Sequence, residues 1–380
     1  MTSETTPQRN RRNDMQLAQR AAIAVATRNA KRQTERERFS TSPREDGEEA
    51  DSIHPIFDSF VVYDNVQSMT NLTVLELENL WYALKPRVMR TWNVGKGRKS
   101  PYSGKVMLFM LVTIFKSGGT WQFLSALFGF QAPTFEKMMT RFLTKVSDHV
   151  YDLFVADEVS IRAMTHLVAT GKTFQNYPAA LYAVDATFQQ SNRPLGSHNE
   201  ALYAFSGKHH LYGKKVEVAV SPSGFALHVS QHVPGSVHDK TLFDQNSSFH
   251  SDVRKKRPSE VHLEDSCPLR ETFSDQWALL ADKGYQGVQH VSRAILPARA
   301  SRNHRLTASQ ESTNQRIATD RIIVENWFGR NYTLWGIVSD KYNWSNDLYD
   351  PIFRLCAGLT NYHIRFTPLR TEEATTTAEC

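Results

Sequence analysis

The chain has only three cysteines among its 380 residues, Cys267, Cys356 and Cys380. None stands at short metal-type spacing from another. So few argue against a disulfide framework and for a reducing, intracellular setting. There is no glycine-rich phosphate loop, which argues against nucleoside triphosphate hydrolysis. The N-terminus lacks the apolar core of a signal peptide. Long apolar runs are missing too: the longest, Val106 to Phe115, falls short of the roughly 18 residues that a membrane span needs. It reads as a buried core helix, and no membrane partner is expected. Internal repeats and long low-complexity segments are absent. Charge is mild in its imbalance, +6 overall, which permits a polyanionic partner without requiring one. What remains is an ordinary globular composition, 40% hydrophobic and 22% charged, on a chain long enough for two or three domains.

Four stretches follow one another. Residues 1–52 are basic and polar, almost free of aromatics, and too poor in apolar surface to offset the entropy of ordering. A solvated tail and a nuclear-import or DNA-touching arm both fit them. Residues 53–163 carry helical periodicity. SPYSGKVMLFMLVTIFKSGG opens on Ser-Pro and closes on Gly118-Gly119, clear start and stop signals. TWQFLSALFGF, a break at Gln131-Ala132-Pro133 and TFEKMMTRFLTKVSDHVYDLF then give a short helix, a turn and a longer helix, the helix-turn-helix layout. Its second helix would present Lys137, Arg141 and Lys145 to DNA; a plain helical bundle has the same pattern. Residues 164–366 change period. LYAVDATFQQ reads as a first strand, KKVEVAVSPSGFALHVSQHV as two strands about a tight turn, and WALLAD as a fourth. A polar insertion is expected over 246–275, a basic connector over 297–306, and a long helix opened by Thr307 with Gln310 as a capping box. The end, 367–380, is polar. The fold class expected is α/β: a mixed sheet flanked by helices, preceded by an all-helical region.

Within the α/β part, three carboxylates sit in apolar company: Asp185 in the first strand, Asp282 closing the fourth, and Glu325 in the long helix. A carboxylate in such surroundings is costly unless a cation or hydrogen bonds satisfy it. Pairing of the first and fourth strands would bring Asp185 and Asp282 side by side. Arg321, four residues before Glu325, could pair with it or with a phosphate. Oxygen donors without thiolates suit a hard ion, Mg²⁺ or Mn²⁺. Two such ions support phosphoryl transfer by activating a nucleophile and stabilising the leaving oxygen. An arbitrary trio of acids is more often solvated or salt-bridged. His228 and His232 share a strand face, which fits either a zinc site or polar lining. Trp327, Phe328 and Trp335 suit base stacking or core packing, and Arg254 to Arg257 suit phosphate contacts or a solvated loop.

Taken in order, AVDATFQ, PGSVHDKTLFD, LLADKGYQG and RIIVENWFG resemble the Harbinger-type superfamily of DDE transposases and, more distantly, bacterial insertion-sequence transposases, over roughly residues 70 to 365. The resemblance implies an RNase H-like catalytic core, a helical DNA-binding region before it, cut-and-paste transposition and a nuclear location. By motif, Asp185, Asp282 and Glu325 match the catalytic acids. They would hold two Mg²⁺, with Asp239 as a further ligand or as a helix cap. Arg321 and Arg330 are candidate DNA contacts. Implied partners are double-stranded DNA (transposon ends and target), a separate DNA-binding protein and further copies of the chain. Two departures stand out: Tyr332 occupies a position that is often Lys or Arg in the bacterial enzymes, and the 246–275 segment is long. The rival readings are a domesticated DNA-binding adaptor without catalysis, and a nuclease of RNA or branched DNA.

Overall fold

The computed structural model describes residues 55–62, 65–96, 99–300 and 305–369. The N-terminal tail expected over 1–52, most of the polar end and part of the basic connector lie outside these residues. Helices α1 (Pro55–Val62), α2 (Val66–Thr70) and α3 (Val74–Thr91) come first. Thr73 and Glu76 close a reciprocal capping box on α3. This helix continues through Pro86 to Thr91. Helix α4 (Gly104–Ser117) starts at the Ser103 cap and stops at Gly118, whose φ of 61° suits glycine. Val106 to Phe115 is buried on every side, as the apolar run suggested. Next come α5 (Trp121–Leu127) and α6 (Ala132–Tyr151), then two short helices, α7 (Glu158–Ile161) and α8 (Met164–Ala169).

The sheet begins with β1 (Ala180–Gln190). After α9 (His198–Ala204) come β2 (Phe205–Ser206), β3 (Leu211–Val220), β4 (Ala226–Val229) and β5 (Val233–Pro234). Helices α10 (Asp239–Gln245) and α11 (Ser247–Arg254) lead to β6 (Ala278–Leu280) and β7 (Ala294–Ile295). The long α12 (Ala308–Leu334), with the expected Thr307/Gln310 capping box, precedes α13 (Gly336–Ser339) and α14 (Tyr349–Ile364). Strand β1 is central. Antiparallel β3 lies on one side of it, with β4 and β5 beyond; parallel β6 and then β7 lie on the other.

Buried side chains from α1 through the sheet to α14 form one continuous core. Helix α14 holds the two regions together. Gly358 lets it approach Val150 of α6, and buried Asn361 bonds Phe154, both backbone groups of Ala226, and the Trp327 indole. Asp320 of α12 accepts the backbone N–H groups of Asn176 and Tyr177, just before β1. The 246–275 stretch is not the simple polar loop expected. It carries α11, and Asp265 holds Arg293 through two short bonds while also pairing with Lys256. Arg254 is buried and bonds the carbonyls of His250 and Trp277. Arg254 and Lys256 therefore serve packing, not a free basic loop.

Candidate active site

Asp185 sits at the middle of β1, opposite Val218 of β3. The parallel register pairs Ala183 with Leu280, so two residues on, Asp282 comes level with Asp185 on the neighbouring chain segment. Adjacent strands lie about 4.8 Å apart. One guanidinium spans the pair: Arg321 Nη2 is 3.1 Å from Asp185 Oδ2, and Nη1 is 3.6 Å from Asp282 Oδ1. Asp185 also accepts the Ala186 N–H at 2.8 Å. The side chain of Asp185 is 24% exposed and that of Asp282 43%, so the pair opens to solvent on one side while Arg321 backs it from the core. Burial raises the Asp185 pKa to about 6; Arg321 and the Ala186 bond lower it in part, and the charges of Asp282 and Asp239 raise it further.

Arg321, Glu325, Phe328 and Tyr332 stand at helical spacing on one face of α12. Arg321 meets Asp185, and the Tyr332 hydroxyl meets that of Thr187. Glu325 therefore lies on the sheet-facing stripe between those two contacts. Its side chain is exposed and makes no hydrogen bond or ion pair among the described residues. Arg321 turns to the aspartates, not to Glu325 as its i−4 spacing allowed. Asp239, the first residue of α10, does not cap the helix, which starts without a side-chain cap bond. It pairs with Lys215 Nζ at 3.0 Å, and that ammonium also donates to the Val237 carbonyl.

The compact acidic trio expected from the sequence is thus only partly assembled. Asp185 and Asp282 are brought together, Asp239 is a close electrostatic neighbour with its own cation, and Glu325, on the same helix face as Arg321, is exposed and makes no hydrogen bond or ion pair among the described residues. No three Asp, Glu, His or Cys side chains among the described residues are grouped closely enough to hold a metal ion. The two histidines of the shared strand face have other partners: His228 stacks on Phe249, and His232 bonds Asp350 and Lys214. Trp327, Phe328 and Trp335 are buried core residues. Lys137, Arg141 and Lys145 are exposed along one side of α6, whereas Arg330 is engaged by the Thr367 carbonyl and His363.

Sequence reasoning passed over Lys215, the partner of Asp239. It also passed over Glu217, buried on β3 opposite Ala186, which accepts from Asn246 Nδ2 and faces His250 Nε2, each at 3.0 Å. His250 in turn meets the Tyr182 hydroxyl at 2.8 Å. The signal was present in KKVEVAV: Lys215 and Glu217 alternate on one face of an otherwise apolar strand.

Asp185, Lys215, Glu217, Asp239, Asp282, Arg321 and Glu325 all lie within residues 184–361, which match the family described as DDE superfamily endonuclease. Over 185 residues the chain is 24% identical to the "Probable transposase for insertion sequence element IS702" of Microchaete diplosiphon, covering 48% of this chain and 57% of the relative. The chain thus spans little more than half the length of that relative. No solved structure matches it significantly. No helix among the described residues is long and apolar enough to cross a membrane.

Proposed function

We propose that the protein is a metal-dependent DNA endonuclease and strand-transfer enzyme of the Harbinger-type DDE transposases, acting in the nucleus. The observation that carries this reading is the convergence of Asp185 and Asp282 on Arg321, from three separate segments of the matched region. The antiparallel β3–β1 pair beside parallel β6 and β7 supports an RNase H-like core. Residues 53–163 would serve as the DNA-binding region and 164–366 as the catalytic domain.

The donor chemistry of Asp185 and Asp282 fits a hard divalent ion: both are carboxylates, both are partly exposed, and they already share one cation. A bound Mg²⁺ supplies charge neutralisation at the scissile phosphate and an activated nucleophile. Asp185 and Asp282 would hold it, with Glu325 and Asp239 as the further carboxylates named by motif. Arg321, the candidate DNA contact of the motif, would reach a phosphate only after leaving the aspartates that it now pairs from the core side. Exposed Lys137, Arg141 and Lys145 would follow the DNA backbone. Transposon ends and target DNA are the substrates of this reading, with a separate DNA-binding protein and further copies of the chain as partners.

Two observations favour a second reading. Glu325 is exposed, and the aspartates are already neutralised by Arg321 and Lys215, which suits a domesticated DNA-binding adaptor that keeps the fold without catalysis. A nicking assay on supercoiled DNA carrying candidate terminal repeats separates the two. Wild type should nick only with Mg²⁺ or Mn²⁺, and Asp185→Ala should lose nearly all activity. Equal inertness of both proteins would favour the adaptor.

A further inference from the structure

Beyond the far end of β1 lies a cavity of about 410 Å³, outside the carboxylate site. Its volume is within the range of small-molecule sites, about 300–1,000 Å³. The walls come from the segment after β1 (Ser191 to Pro194), from α9 (Glu200, Tyr203), from β3 (Lys214) and from the Tyr342–Trp344 turn. Lys214 is opposite Gln189 of β1. Residues directly opposite share a face, so Lys214, Gln189 and Asp185 project to the same side of the sheet. Four residues separate Gln189 from Asp185, about 13 Å along the strand.

Lys214 is only 9% exposed, an expensive place for an ammonium unless it has partners. It donates to His232 Nε2 at 2.9 Å. That bond makes Nε2 an acceptor and leaves the ring proton on Nδ1, which faces Asp350 Oδ2 at 2.9 Å. The His232 backbone N–H fixes the other Asp350 oxygen at 2.8 Å. Asp350, His232 and Lys214 thus form a braced line that ends in a cation at the cavity wall. Arg193 adds a second positive charge at the rim, against the single carboxylate of Glu200. The cavity's aromatic residues are of two kinds. Trp344 is fixed, stacked on Trp121 with centroids 4.0 Å apart, and Tyr342 is buried. Tyr203 is 57% exposed, an aromatic face with room for a planar partner.

We infer that this cavity binds one unpaired nucleotide, its phosphate on Lys214 and Arg193 and its base against Tyr203. Aromatic faces stack any base, and a cation beside them holds the backbone, the combination used for single-stranded nucleic acid. The inference rests on the DNA-acting function proposed above and places the nucleotide on the strand that the aspartates would cut. Trp327, Phe328 and Trp335 take no part in it, because they belong to the core.

The test is fluorescence anisotropy of the full chain with a short labelled single strand and with a blunt duplex of the same sequence. Tyr203→Ala and Lys214→Gln should each weaken single-strand binding at least about fivefold and leave duplex binding at the wild-type value. Tyr203 is a surface residue, so its variant remains informative even where Lys214→Gln fails to fold. Unchanged single-strand affinity in Tyr203→Ala, or no single-strand binding by wild type, would overturn the inference. Deoxyadenosine monophosphate that competes as well as the oligonucleotide would identify free nucleotide as the source and overturn the strand assignment. A protein that never nicks DNA but binds the single strand through Tyr203 would remove the nuclease reading and leave the nucleotide site standing.

Discussion

Arg321 carries opposing duties. With its side chain 7% exposed, it neutralises two aspartates that would otherwise repel each other across adjacent strands. Arg321→Ala should cost about 2 kcal/mol in chelator, the worth of charged hydrogen bonds at a nearly buried site. If the aspartates accept a divalent ion, millimolar Mg²⁺ should restore part of that loss and raise the melting temperature of the variant more than that of wild type. No response of either protein to Mg²⁺ would count against a cation at this pair. On the other face of the sheet from Asp185, burial lifts Glu217 to about 8, the hydrogen bond from Asn246 offsetting only part. Burial and then the charge of Arg254 push His250 down to about 3, so both are neutral near pH 7. From the ordinary Glu value of 4.5 up to about 8, the folded state keeps a proton that the unfolded state has lost, so stability falls as pH rises. His250, and His228 at about 4, act in the opposite sense below 6.5. Between pH 6.5 and 8 Glu217 acts alone among these three and should remove about 2 kcal/mol. Glu217→Gln should flatten that interval in thermal melts.

At the scale of elements, the crossing of α14 over α6 decides whether the helical region and the sheet share a core. A Cβ on Gly358 would lie 2.8 Å from Val150 Cγ1 and 3.0 Å from the Val150 carbonyl oxygen. The backbone there cannot yield, so Gly358→Ala should destabilise by about 1–3 kcal/mol in denaturant titrations. Gly329 of α12 meets nothing within 4 Å, and its alanine variant should instead gain about 1 kcal/mol of helix propensity. Most elements were legible in advance because local signals mark their ends: the Thr307/Gln310 box, the Ser103 cap, Gly118. What could not be read were the short pieces held by distant partners. β7 has two residues and exists by pairing with β6, and α11 is fixed by burial of His250 and Arg254. At the site, the motifs located Asp185 and Asp282 because a strand register carries them. They could not give the rotamer of Glu325, which no neighbour dictates, or the pairing of Asp239 with Lys215, which depends on tertiary approach.

For the whole molecule, helix α6, which carries the exposed row of Lys137, Arg141 and Lys145, and the strands that carry the carboxylate pair pack into one continuous core. Each phosphate neutralised contributes a slope of about 0.9 to the salt dependence of DNA affinity. Replacing all three by Gln should therefore lower the slope of log K against log salt by roughly 2 to 3, checked by titrations at several salt concentrations. An unchanged slope would assign α6 to scaffolding. Helix α12 is fastened to the first strand at two points. Asp320 ties it to the turn entering β1, and Tyr332 ties it to Thr187 farther along the same strand. The helix cannot slide between those two anchors. Whatever relieves Arg321 of its aspartates must do so by swinging one side chain, so incoming cargo would be exchanged at the rate of rotamer motion while the scaffold stays still.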